Sequence, residues 1–114
     1  MAKIPSQMLK GTLEGALLLI IARGETYGYA IQSTLADLGF GDIPEGTVYP
    51  LLLKMQKNGV IKAERHKMPH GADRKYYHLT QAGLTAIAEF LPSWRQLVQA
   101  MGKLTEGDDN ETSL

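Results

Sequence analysis

The chain has 114 residues, a formal net charge of zero, 44% hydrophobic residues and no cysteine. That length suits one domain, and a cysteine-free chain has no disulfide framework, thiolate metal site or cysteine nucleophile. The longest apolar run, ALLLIIA at 16–22, falls far short of the roughly 20 residues a membrane span requires, and Gly24, Glu25 and Tyr27 stand where a signal peptide would carry small residues, so a soluble cytoplasmic protein is expected.

Residues 1–7 read as a frayed start. Helical spacing then predicts a first helix over 8–23, stopped by Gly24. Leu9, Leu13, Leu17 and Ile20 form one stripe on it, while 16–22 is apolar all round. Such a helix is buried on several sides, as it would be between its own domain and a partner subunit. A second helix is expected over 27–38, behind Thr26 as N-cap and closed by Gly39.

The third helix lies in EGTVYPLLLKMQKNGVI, 45–61. Val48, Leu51, Leu52 and Met55 share a face, and Asn58-Gly59 ends the helix. Its front carries Gly46 and Pro50, which a helix selected only for packing would avoid. From Lys54 to Lys75 the chain holds seven Lys or Arg against two acids, Glu64 and Asp73. Such a basic block is the electrostatic footprint of a polyanion partner.

Two short strands follow, over 60–66 and 75–80, joined by a loop marked by Pro69 and Gly71. Alternation turns Tyr77 inward with Leu79 and turns Tyr76 and His78 outward. Thr80 caps a fourth helix over 81–104. The remainder, 105–114, reads as a disordered acidic tail.

Three helices and a two-stranded hairpin, mainly α with a small β component, are the order of a winged helix-turn-helix. The expected division is a DNA-binding domain over 8–80 and a long C-terminal dimerisation helix over 81–104. In such folds the front of the third helix reads base edges in the major groove. Thr47 and Tyr49 there offer hydroxyls, beside Pro50, and Lys54 one turn beyond can neutralise a phosphate. On the wing, Lys67, His70, Gly71, Arg74 and Lys75 suit the backbone or minor groove, Gly71 permitting close approach.

The pieces YGYAI (27–31), EGTVYPLLLKMQKNGVI (45–61) and DRKYYHLTQAG (73–83) closely resemble the PadR family of winged-helix transcriptional repressors. The resemblance spans about 8–104 and is to the short form, with one C-terminal helix. It implies a homodimer on a palindromic double-stranded operator, released by a small molecule. A winged helix used as a protein-contact adaptor, without specific DNA binding or ligand, is the alternative. The basic wing and Lys54 argue against it.

On the fourth helix Leu84, Ile87, Leu91, Trp94, Val98 and Met101 step by 3, 4, 3, 4 and 3, an a/d seam that the three-helix core cannot cover. A second chain is its expected cover, with Leu9, Leu13 and Leu17 of the first helix contributing. Pro92 is expected to kink the helix before Trp94. In multidrug-binding members of the family paired tryptophans line a flat pore at the dimer centre. By that resemblance Met8, Gly11, Thr12, Gly15, Leu91, Trp94 and Val98 surround a site for a small aromatic effector. Trp94 packing directly on its symmetry mate is equally compatible with the seam.

No enzyme is indicated: there is no Gly-rich phosphate loop and no grouped Ser, His and carboxylate. His66 and His70 stand at i and i+4, but that spacing converges on a helix and not in a loop containing Pro69. Neither metal nor cofactor is expected.

Overall fold

The computed structural model describes residues 4–106. The acidic tail from residue 107 onward therefore lies outside the described residues. The single first helix expected over 8–23 is two helices, α1 (Ser6–Leu9) and α2 (Leu13–Ala22), so helix begins inside the stretch expected to be frayed. The break falls at Gly11, whose φ of 91° no helix accommodates. Thr12 Oγ1 donates to the Leu9 carbonyl at 2.9 Å, engaging an acceptor that the end of α1 would leave unpaired.

α2 delivers Leu13, Leu17, Leu18, Ile20 and Ile21 to the core, so it is covered on several sides as its composition demands. The cover comes from its own chain. Leu13 and Leu17, expected at a subunit interface, are already buried here, at 5% and 0% exposure.

Thr26 does not cap the second helix. Thr26–Tyr27 form a short strand, β1, and α3 (Gly28–Leu38) begins behind Tyr27. α4 (Glu45–Lys57) contributes Val48, Leu52 and Met55 to the core, with Leu51 packed at its margin. Both helices end in the same way. After α3, Phe40 N–H donates to the Leu35 carbonyl and Gly39 N–H to that of Ala36; after α4, Val60 donates to Met55 and Gly59 to Gln56. The reach over five residues needs a left-handed residue, supplied by Gly39 (φ 106°) and Gly59 (φ 79°).

β2 (Ile61–His66) and β3 (Arg74–Leu79) form the antiparallel wing, and β1 adds to its other edge, giving the order β1-β3-β2. The third strand makes this a three-stranded sheet where two strands were expected. Tyr77 faces inward and is 3% exposed, and Leu79 packs against the core.

α5 (Gln81–Thr105) is fastened at its start by Thr80, whose hydroxyl donates to the Gly59 carbonyl at 2.6 Å and accepts from Gly83 N–H at 3.1 Å. Gly83 is glycine because a Cβ there would strike the Val60 carbonyl. α5 continues through Pro92 and meets α2 where the Phe90 ring lies over Gly15. No helix among the described residues is long and apolar enough to cross a membrane.

Candidate nucleic-acid interface

With Val48, Leu52 and Met55 buried, helical periodicity turns Gly46, Pro50, Leu53 and Lys57 to the opposite side of α4, and all four are exposed. The residues expected at a DNA surface divide over the two flanks of this ridge. Thr47, Pro50 and Lys54 border a cleft of about 1250 Å³ shared with α1 and α2, where Lys54 Nζ stands 3.7 Å from Glu14 Oε1. Tyr49 borders a second cleft, of about 760 Å³, between α4 and the wing.

Tyr49 is 40% exposed, and its phenol rests on Gly28 at the start of α3, where any Cβ would collide with it. The glycine of YGYAI is thus explained by the tyrosine of TVYP. Burial, with the nearby Tyr49 as a lesser cause, holds the Tyr77 hydroxyl above its ordinary pKa of 10.0.

The wing presents His70, Arg74 and Lys75 to this cleft, while Gly71, at φ 133° in the turn, does not line it. Lys75 Nζ lies 5.9 Å from the centre of the Tyr77 ring. Across the ladder from Lys75 stands Arg65, which the sequence analysis did not select. Like charges directly opposite one another destabilise an antiparallel pair, so this arrangement costs the free protein stability. A polyanion against the cleft reverses the sign of that cost. Strand period two would have paired the two positions, had the turn length been known.

Arg74 borders the same cleft at its edge. Its guanidinium lies 4.2 Å from the centre of the Tyr27 ring, and a hydrogen bond with Tyr76 raises its pKa further. Arg74 and Lys75 leave β3 on opposite sides by strand alternation, yet both border the cleft, Arg74 from its edge beside Tyr27.

On α5, Leu84, Trp94, Val98 and Met101 are exposed, joined by Leu97 and Leu104, while Ile87 packs on the chain's own core. Gly11 and Gly15 border the larger cleft, but Met8, Thr12, Leu91, Trp94 and Val98 do not, so one chain does not assemble the expected effector residues. Sequence analysis missed Phe90. Its ring occupies the space that Gly15 leaves and stacks parallel to Trp94, centroids 6.4 Å apart.

Residues 17–89 match the model of the transcriptional regulator PadR-like family. A PadR-like transcriptional regulator of Bacillus cereus is 43% identical, with a TM-score of 0.78 over 88% of this chain and 97% of the other. A transcriptional regulator of Streptococcus is 39% identical, with a TM-score of 0.77 over 90% of this chain and all of the other. PadR of Bacillus subtilis, solved in complex with operator DNA, is 29% identical, with a TM-score of 0.66 over 71% of this chain and 47% of its own. The exposed front of α4, the charged wing beside it and the long capped α5 are features of a regulator and not of a catalyst, and the chain belongs to the PadR-like family of transcriptional regulators.

Proposed function

We propose that this protein is a homodimeric transcriptional repressor that binds a palindromic operator and is released by a small aromatic effector. The observation that carries the DNA reading is the cleft between α4 and the wing, where Arg65 and Lys75 oppose each other beside Tyr49, Leu53 and His70. In the bound state α4 lies in the major groove with Gly46 and Tyr49 toward base edges, and the wing's cations lie along the phosphates. That the Bacillus subtilis relative was solved in complex with operator DNA supports a DNA partner.

The second chain is proposed because α5 carries Leu84, Trp94, Leu97, Val98, Met101 and Leu104 exposed along one helix. A patch of that kind on a small domain marks an interface. The effector is placed at the Phe90–Trp94 stack, which offers a flat aromatic surface beside that interface.

The test is fluorescence anisotropy with genomic fragments selected by the purified protein, repeated across a salt series. Specific binding whose logarithm falls linearly with log salt is expected. Titrating planar aromatic cations and phenolic acids should quench the single tryptophan and release the DNA together. A protein with no sequence preference at any salt concentration refutes the repressor reading. Quenching without release refutes the effector.

A further inference from the structure

The sheet has a second charged surface, on the face turned away from Tyr77. Strand alternation puts Glu64 and His66 together on β2, and β3 adds His78, whose ladder partner is Lys62. Glu25 immediately precedes β1, and extending the β1–β3 register places it beside His78. Glu25, Glu64 and His66 converge, and His78 reaches both carboxylates. His78 Nε2 stands 3.2 Å from Glu25 Oε2 and 3.5 Å from Glu64 Oε1, and His66 Nε2 stands 3.5 Å from the same Glu64 oxygen. Ligand atoms of Glu25, Glu64 and His66 all lie within 4.8 Å of one another.

These separations are informative. A hydrogen bond from imidazole to carboxylate settles at about 2.7–3.0 Å. Two donors on a tetrahedral ion, each about 2.0–2.1 Å from the metal, stand about 3.3–3.4 Å apart, the edge of the tetrahedron. The three imidazole–carboxylate distances, 3.2, 3.5 and 3.5 Å, bracket that edge. Moreover, His78 Nε2 is buried and hydrogen-bonded to nothing, although two carboxylates flank it. Among the described residues, the ion pairs of Glu25 and Glu64 run only to histidine, not to lysine or arginine. Two converging carboxylates repel each other unless a cation lies between them. The His66 ring is also held in place, stacked on Tyr76 with centroids 4.4 Å apart.

We propose that Glu25, Glu64, His66 and His78 form a site for one divalent transition-metal ion of the zinc class. Two imidazoles and two carboxylates are a borderline donor set that suits zinc, and disfavours calcium and magnesium, which take oxygen ligands alone. The ion ties the turn after α2 to both strands of the wing. The histidine spacing weighed in the sequence, 66 with 70, misses this site because strand register, not helical periodicity, assembles it. His70 lies at the loop and outside the cluster.

The experiment uses the untagged full chain, stripped with a chelator and titrated with Zn²⁺ by calorimetry and with Co²⁺ by visible absorption. One ion per chain and the intense visible bands of tetrahedral cobalt are expected. Glu64→Gln and His78→Gln, both on the surface of a folded wing, should each weaken binding by more than about tenfold, the low end of what even an outer-shell change costs. His70→Gln should leave it unchanged. Absence of saturable binding in the native chain overturns the proposal. So does equal weakening by His70→Gln, which marks adventitious binding to surface histidines. If Zn²⁺ leaves the His66 and His78 imidazole NMR signals unmoved while pH alone shifts them, the four residues are only an ion-pair network, and the metal site is refuted.

Discussion

Arg65→Glu separates the requirements of folding from those of DNA binding, because the two respond in opposite directions. Arg65 is exposed and stands directly across the ladder from Lys75. Replacing a like-charged cross-strand pair with an opposite-charged one is worth about 0.5–1 kcal/mol at a solvent-facing position. For a domain of this size that raises Tm by about 2–5 °C. In the native chain Lys75 Nζ also lies 5.9 Å from the centre of the Tyr77 ring. On DNA the same change removes one phosphate neutralisation and adds repulsion. The slope of log K against log salt should fall in magnitude by about 1, and affinity at low salt should fall about tenfold or more. Urea melts at low and high salt give the first quantity, and anisotropy across a salt series gives the second. The double variant Arg65→Glu with Lys75→Glu restores a like-charged pair and should lose the stability gain, which isolates the pairwise term. If Arg65→Glu is less stable at low salt, the cross-strand repulsion is not the operative energy. If its salt slope matches that of the native protein, the cleft does not face the phosphates.

Gly83→Ala and Gly102→Ala place the same substitution in the same helix with opposite expected signs. A Cβ at Gly83 meets the Val60 carbonyl, so overpacking of about 1–3 kcal/mol outweighs the helix-propensity gain, whereas Gly102 has open space and should gain about 0.5–1 kcal/mol; chemical denaturation decides. Gly28→Ala should expel the Tyr49 phenol and lower operator affinity by about 1–3 kcal/mol, and Tyr49→Ala should do the same; if the double variant loses the sum of the two, the residues do not act through one contact. Val98 is exposed in the single chain, so Val98→Asp should leave helix content intact but dissociate the dimer, since a carboxylate buried there costs several kcal/mol; an unchanged sedimentation coefficient moves the interface elsewhere. Tyr77 has a folded-state pKa above its unfolded value, so the neutral form is the one the fold favours. Its contribution is complete below the unfolded pKa, near 10.0, and is lost as pH rises from there through the folded value; Tyr77→Phe should flatten that alkaline fall in Tm.

Periodicity made the core of this fold legible and left its junctions obscure. Val48, Leu52, Met55 and Tyr77 face inward as spacing predicts, because one buried face imposes a period on each element. The break at Gly11 was not legible, since the apolar stripe of the first helix runs across it and only the backbone angle records the turn. β1 escaped notice because two residues cannot display alternation; Thr26 and Tyr27 become a strand only because β3 pairs with them. In the candidate interface, Tyr49 and Lys75 could be picked out by residue type and position. Arg65 could not, for its meaning lies in the residue opposite, and that register depends on a loop whose length the sequence does not declare. Phe90 was missed for a related reason: its partner is Gly15, and a gap in one helix says nothing of which side chain will fill it.

The same junctions explain how a helix that carries the exposed apolar seam is fixed relative to the one that presents Tyr49. α4 ends at Gly59 with its last carbonyls taken by Gly59 and Val60. The Gly59 carbonyl then receives the Thr80 hydroxyl at 2.6 Å, and that hydroxyl in turn caps Gly83. Thr80 N–H donates to the Val60 carbonyl, the atom that a side chain at position 83 would strike. Five backbone and side-chain bonds thus converge within a few residues on the end of α4, the start of β2 and the start of α5. Rotating α5 against α4 breaks this cluster of bonds or carries α4 with it. Further along α5 the anchoring is apolar: Ala86 and Ile87 pack against the core, and the Phe90 ring lies over Gly15 of α2. If the proposed effector shifts Phe90 and Trp94, the Thr80 junction is the link through which α4 would follow, and Thr80→Val, which removes both hydroxyl bonds, should then uncouple effector binding from DNA release.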